Sequence, residues 1–496
     1  MSNEPLSSVS TQAEVKRCIF GLMLVLALAS LDGNIVGPAL PQIVSDLGGL
    51  SHLSWVVTAF AVASTATTPL YGKLSDQFGR RPAFFVSIGL FLLGSVFCGA
   101  AHSMAFLIGA RALQGIGAGG LMTLSQTTIA DLVSPRERGK YQGQLAGVFA
   151  LCSVAGPLAG GLITDQLSWP WIFYINLPIG AAALAILSIS LRPHAGRPGQ
   201  HIDWLGFALV IAGTCTLLLL LSWGGVVYPW LSPPMLGLAA VTLLLFGLLL
   251  PVEHRAAEPA LPPKLFTDRV FVTGVAAISL TMAALFGALV FIPLFFQLVL
   301  GASATEAGLR MAPLMGGIIV SSVVGGRLVT RTGKYKRFPV AGLGLAAPVY
   351  AAMAWAAETG VSANWFDGLL VLLGLGLGLV MPNVTTAIQN AVPVRDVGVA
   401  TSTLGFFRSL GGALGVAVAG TILAANLAAR LPGQGLAHAG LTELHAMRPE
   451  LRLHVLGAYQ HALAVTFAAA ACVGVLAFVT VLFLPERPLR GATSSG

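Results

Sequence analysis

Gly72-Lys73-Leu74-Ser75-Asp76-Gln77-Phe78-Gly79-Arg80-Arg81 is a short charged turn set between two long apolar runs, and its reading decides the fold. A chain that crosses a bilayer satisfies its backbone polar groups inside helices, so the hairpin between two spans must surface at the membrane face. Lys73, Arg80 and Arg81 assign that face to the cytoplasm. Composition points the same way: 56% of the residues are apolar, only 9% are charged and the mean hydropathy is +0.84. Soluble domains carry about a quarter charged residues, so the solvent of this chain is lipid. The net charge of +8 is spread over many short loops and not gathered into a stripe, which is a topology signal and argues against a nucleic-acid partner. Cys18, Cys98, Cys152, Cys215 and Cys472 stand singly, without disulfide or ligand spacing, and read as packing residues.

Working outward from the turn, fourteen apolar segments of about 20 residues follow one another, the first near 18–40 and the last near 461–484. An even count puts both termini on one side. With that side cytoplasmic, Lys16, Arg17, the charged turn, Arg136, Arg138, Lys140, Arg192, Arg197, Arg255, Lys264, Arg269, the run from Arg327 to Arg337, Arg395, Arg487 and Arg490 all fall inside. Arg430, Arg448 and Arg452 remain outside. The first apolar run is too long for a secretory h-region and lacks a small-residue cleavage site, so it is expected to be retained as a span.

The chain also repeats. Gly115, Gly117, Gly119 and Met122, followed by Val133, Arg136, Glu137 and Gly139, align in register with Gly374, Gly376, Gly378 and Met381, followed by Val392, Arg395, Asp396 and Gly398. The charged turn recurs more weakly from Gly326 to Lys334, with Thr330 in the place of Asp76. Two homologous six-helix halves, residues 1–200 and 255–496, are expected, with two additional helices in 201–254 between them. Halves related this way place a substrate site at their interface near the bilayer midplane.

The charged turn has the form G-x-L-x-D-x-x-G-R-R and resembles the signature of the major facilitator superfamily. Leu31-Asp32-x-x-Ile35-Val36-x-x-Ala39-Leu40-Pro41, Arg111-Ala-Leu-Gln114-Gly115-x-Gly117, Gly156-Pro157-x-x-Gly160-Gly161 and Trp169-x-Trp171 through Asn176 to Gly180 are similar to elements of its fourteen-helix drug:proton antiporter family. The resemblance departs at Asn34, where that family usually has Thr, at Pro170, where it has Arg, and at Cys152, which replaces a glycine of the antiporter motif. It implies an all-α integral membrane protein with the major facilitator fold, two six-helix halves plus two extra central helices. It further implies a multi-pass protein of the inner, or plasma, membrane that exchanges protons for exported lipophilic compounds, cationic ones included, and uses no cofactor.

Individual residues support this reading. Asp32 lies about 22 Å along the first helix and Arg111 about 10 Å into the fourth from its outer end, so the two charges sit at similar depth. An ionisable group inside a membrane helix is expensive and marks function by default, here proton coupling or substrate binding, with a structural ion pair as the alternative. Asn34, Gln114, Gln297, Asn383 and Arg408 are candidates for the substrate cavity; helix–helix hydrogen bonding explains the amides equally well. Gly72, Asp76, Gly79, Arg80 and Arg81 lie too near the surface for a midplane site and read as a gate. Gly143, Gly156, Pro157, Gly160 and Gly161 form the antiporter motif, where proline removes a helix hydrogen bond and glycine permits close approach. Glu306 and Arg310 have the spacing of a local ion pair. His438, His445, His454 and His461 read as a solvated outer segment. No phosphate-binding loop and no H-E-x-x-H stretch occurs, so neither ATP hydrolysis nor a metal-dependent hydrolase has a sequence basis. A dedicated exporter of one endogenous metabolite or lipid, or a non-transporting receptor, would share most of these features.

Overall fold

The computed structural model describes residues 12–48, 53–191, 203–225, 228–256, 259–302, 304–431 and 449–489. His438, His445 and Arg448 lie outside them. The chain is helical almost throughout. Helices α1 (Gln12–Leu47), α2 (Leu53–Phe78), α3 (Arg80–Gly99), α4 (Met104–Leu132), α5 (Pro135–Gln166) and α6 (Trp171–Ser190) are followed by α7 (Trp204–Trp223) and α8 (Pro233–Arg255). Then come α9 (Arg269–Leu298), α10 (Glu306–Thr332), α11 (Arg337–Thr359), α12 (Ala363–Ala391), α13 (Val397–Arg430) and α14 (Pro449–Leu482). Thirteen of these are long and apolar enough to cross a membrane among the described residues. The exception is α2, whose 26 residues include Thr65, Thr67, Thr68, Lys73 and Asp76.

Contacts sort the helices into two bundles and a hairpin. α1 packs on α5 and α6, and α4 lies between α2 and α3; in the second bundle α9 packs on α13 and α14, α11 on α14, and α12 lies between α10 and α11. α7 and α8 pair with each other, and α7 leans on α2, with Trp55 edge-on to Trp223 at 5.5 Å. Each bundle has its own apolar interior. Leu22, Phe84 and Phe91 fill the first, while Phe295, Phe366 and Phe467 cluster in the second, with the Phe295 and Phe366 rings stacked at 4.6 Å.

The glycine repeat explains how α4 and α12 come to occupy matching positions. Gly115 and Gly119 lie directly on the α2 backbone at Phe60 and Ser64, and Gly117 lies on α3 at Phe91. Gly374 and Gly378 lie on α10 at Leu314 and Ile318, and Gly376 lies on α11 at Gly342. A side chain at any of these positions would hold two backbones apart. In lipid, where apolar side chains gain nothing by leaving solvent, such close approach is a main source of helix association.

Four helices break near their middles or ends: α6 at Ile175, α9 at Val290 and Phe291, α10 at Arg310 and Met311, and α12 at Leu379 and Val380. α14 begins well before the apolar run that announces it. Arg452 and His454 interrupt the hydropathy there while Val455, Ala458 and Tyr459 stay buried on one helical face.

Candidate functional site

Asp32 and Arg111 meet in direct contact. Arg111 donates from Nη1 to Asp32 Oδ2 at 2.7 Å, and both side chains are essentially inaccessible. Gln114 donates from Nε2 to Asp32 Oδ1 at 2.7 Å and accepts from Arg111 Nη1 at 2.7 Å. Asn176, from α6, donates to the same Oδ1 at 2.8 Å, and Ser95, from α3, receives Gln114 Nε2 at 2.8 Å and Asn176 Nδ2 at 3.2 Å. Arg111 is held further by the Val56 carbonyl at 3.1 Å and by the face of Phe60, 4.1 Å from its ring centroid. Five helices, α1, α2, α3, α4 and α6, thus close on one carboxylate. A buried ion pair is tolerable only when its remaining donors and acceptors are met in this way.

Gln114 therefore belongs to the carboxylate network and not to an open cavity. Asn176 and Ser95 are members that sequence reasoning did not single out as site residues. Asn176 does stand inside the Trp169–Gly180 stretch, and a lone amide in an apolar run is the signal that could have flagged it.

The second constellation lies at the basic end of the bundle. Arg80 donates to Asp76 Oδ1 at 2.6 Å and to Asp131 Oδ2 at 2.8 Å, and it also contacts Ser75 Oγ. Asp76 uses its other oxygen across the bundle interface, accepting from the Val399 backbone N–H at 3.1 Å. That amide belongs to the first turn of α13, where unpaired N–H groups and the helix dipole favour an anion. Gly398 lies directly against the Asp76 carboxylate and Gly72 against Ser402, so both approaches depend on a missing side chain. Gly79 joins α2 to α3 at φ +94°, a conformation that L-residues avoid. Arg81 stands apart from this set, stacking on Phe85 at 5.8 Å.

Other contacts between the bundles also gather at this end. Gly143 of α5 lies so close to the Ser322 carbonyl of α10 that a side chain there would collide with it, and Gln389 of α12 donates to the Gln126 carbonyl of α4 at 3.4 Å. Towards the opposite end the bundles separate around a cavity of about 280 Å³ between α1, α5, α9 and α10, lined by Asn34, Ser153, Pro157, Phe286, Leu289 and Met311 among others. The α9 and α10 breaks border this space. Gly156 and Gly160 carry the weight of the antiporter motif, seating α5 against Asn34 and Ile35 of α1, whereas Gly161 faces open space. Cys152 is buried and small enough to sit where a glycine was expected.

Of the cavity candidates, Asn34 lines the space and donates to the Ser30 carbonyl at 2.7 Å. Gln297 sits in the outer segment of α9, beyond the lining. Asn383 is fully buried within the second bundle, bonded to Leu379 O at 2.6 Å. Arg408 reaches from α13 to Met122 Sδ of α4 at 2.8 Å. Arg310 does pair with Glu306, at 2.9 Å, and adds a tertiary partner in Asp367 at 2.6 Å.

Residues 22–416 match the family model described as Major Facilitator Superfamily. An MFS-type transporter of Mycobacterium tuberculosis is 37% identical over 98% of this chain and 71% of its own length. Multidrug transporter protein MdtP of Bacillus subtilis is 38% identical over 85% of this chain and 77% of its own. Among solved structures, the human organic anion transporter MFSD10 superposes with a TM-score of 0.65 over 95% of this chain and the whole of that one, at 18% identity, a likeness of fold alone. With its helical architecture, its gate-like turn and this similarity along most of its length, the chain belongs to the major facilitator superfamily of transporters.

Proposed function

We propose that this protein is a proton-coupled antiporter that exports lipophilic organic compounds by alternating access, with α2 as a fourteenth span and α7–α8 as an addition to two six-helix halves. The observation that carries the reading is the cavity between α1, α5, α9 and α10 at one end of a bundle interface that is closed at the other by Asp76 and Val399. The basic end is assigned to the cytoplasm, so this conformation faces outward. Relatives named multidrug transporter and efflux pump support export of small organic molecules. Asp32, fully buried in the first bundle, is the candidate proton carrier: protonation would neutralise it, release its hold on Arg111 and loosen the contacts among five helices. The membrane would be the plasma membrane, with both termini inside.

Efflux of fluorescein and of rhodamine 123 from proteoliposomes, under an imposed pH gradient and with an uncoupler control, tests this. At least one dye should move against its gradient in wild type and stop moving in Asp32→Asn. Gradient-driven transport that survives in Asp32→Asn removes Asp32 from coupling, and absence of any gradient dependence in wild type removes the antiport reading.

A further inference from the structure

In the two charged clusters of the first bundle each arginine faces a carboxylate. Asp32 cancels Arg111, and Arg80 is held by Asp76 and Asp131. Arg408 stands on α13 eleven residues beyond Val397, about 16 Å from the basic end. Among the described residues no carboxylate is paired with it. Its recorded partner is the Met122 thioether, a weak acceptor for a group with five N–H donors. The surroundings are neutral: Thr68 and Thr123 approach Gly405, one turn before Arg408, and lie within 3.3 Å of where a side chain on that glycine would begin. Arg408 is only partly buried, and its reach from α13 to α4 places it where the two bundles face each other.

An unmatched cation at such a depth is costly, and it is retained as a rule where it serves a pathway. Asp32 supplies no counterweight, because both of its oxygens are occupied and it is closed off from the interface. We infer that Arg408 selects the charge of the cargo, receiving the carboxylate or sulfonate group of an amphipathic organic anion. The inference rests on the transport reading above. A planar guanidinium meets such a group with two parallel, charge-assisted hydrogen bonds, whereas a cationic compound at the same place meets uncompensated like charge.

Fluorescein and rhodamine 123 share one ring skeleton and carry opposite charge near neutral pH, so they separate charge from shape. Binding of each to the purified full-length chain in detergent is followed by fluorescence anisotropy, with melting temperature as the control for folding. Wild type should prefer fluorescein; Arg408→Gln should weaken fluorescein at least tenfold and leave rhodamine 123 unchanged or tighter; Arg408→Lys should retain fluorescein binding within a few-fold. The melting temperature of Arg408→Gln should stay level or rise, since an unmatched charge has been removed. Unchanged fluorescein affinity in Arg408→Gln overturns the inference, as does equal loss of both dyes with a fallen melting temperature, the mark of a strut between α13 and α4. If Arg408→Gln does not fold, wild type decides: a preference for rhodamine 123, or no fluorescein binding, overturns it. Binding needs no proton gradient, so a chain that binds fluorescein through Arg408 yet drives no efflux refutes antiport and leaves this assignment standing.

Discussion

Removing either partner of the Asp32–Arg111 pair should cost unequal amounts, and the inequality follows from what each is left with. Arg111→Leu strands a fully buried carboxylate on two neutral amide donors, Gln114 and Asn176. Breaking a buried pair in this manner costs about 3–5 kcal/mol. Asp32→Asn leaves Arg111 with the Val56 carbonyl, Gln114 Oε1 and the Phe60 face; the new amide oxygen accepts from Gln114 and Asn176, and its NH2 group, turned to the Arg111 side, is the one mismatch. The loss is then nearer that of one charged hydrogen bond, about 1.5–3 kcal/mol. In the double variant no buried charge remains at the site, so its cost should fall short of the sum of the singles by about 2 kcal/mol, within the range of coupled neighbours. Unfolding in mixed micelles by SDS titration, read from the fluorescence of the eight tryptophans, gives all three values. Single costs that are equal, and that add in the double variant to within about 0.5 kcal/mol, would refute the closed network.

At the gate, Asp76→Ala removes both the Arg80 ion pair and the acceptor for Val399 N–H, so a thiol placed at buried Ser402 in a background without other cysteines should react at least tenfold faster with a water-soluble maleimide; unchanged protection would show that Asp76 does not hold the bundles together. Gly79→Ala touches no ion pair but forces an L-residue to φ 94°, ψ 161°, a region essentially reserved to glycine, and should cost about 1–3 kcal/mol in the same SDS titration. Tyr335 accepts from Arg487 N at 2.8 Å and donates to Pro485 O at 2.7 Å, tethering the segment after α14, and burial pushes its phenol pKa up. Its neutral form is the one the fold favours, so this stabilisation is complete below about pH 10, the value for a free phenol, and is lost as pH rises through the higher folded value. Tyr335→Phe should therefore speed proteolysis of residues 485–489 at pH 8 and abolish any further increase between pH 10 and 12.

The spans, the charged turn and the paired glycines were legible because each is a local pattern with a local physical cause. Depth along a helix was legible too, and it placed Asp32 and Arg111 at one level before any coordinates. What the pattern lacks is azimuth. Gln114 and Asn34 look alike as lone amides, yet one turns into the bundle and the other lines the cavity. The Val399 amide has no sequence signature at all, since every residue but proline carries one. The cavity wall is apolar, and Leu289 or Met311 facing a void reads no differently from a leucine facing lipid. The expectation that cationic compounds belong among the cargo came from family resemblance, whereas the anion preference inferred for Arg408 rests on where that side chain sits, which the sequence did not show.

α4 explains how an event at Asp32 could reach the gate more than 20 Å away. It carries Arg111 and Gln114 in the network, Met122 beside Arg408, Gln126 under Gln389, and Asp131 on Arg80. From Arg111 to Asp131 is about 30 Å of continuous helix. Because Gly115, Gly117 and Gly119 seat it backbone to backbone on α2 and α3, α4 cannot shift alone; α2 moves with it, and α2 carries Asp76. No chain of side-chain rearrangements is required, only a rigid body with one end in the carboxylate network and the other in the gate. Gly119→Val, which wedges α4 from α2 at Ser64 and Thr67 and replaces no residue of either polar cluster, should therefore uncouple the ends: Ser402→Cys labelling would cease to respond to Asp32→Asn. A response that persists in that variant would place the coupling outside α4.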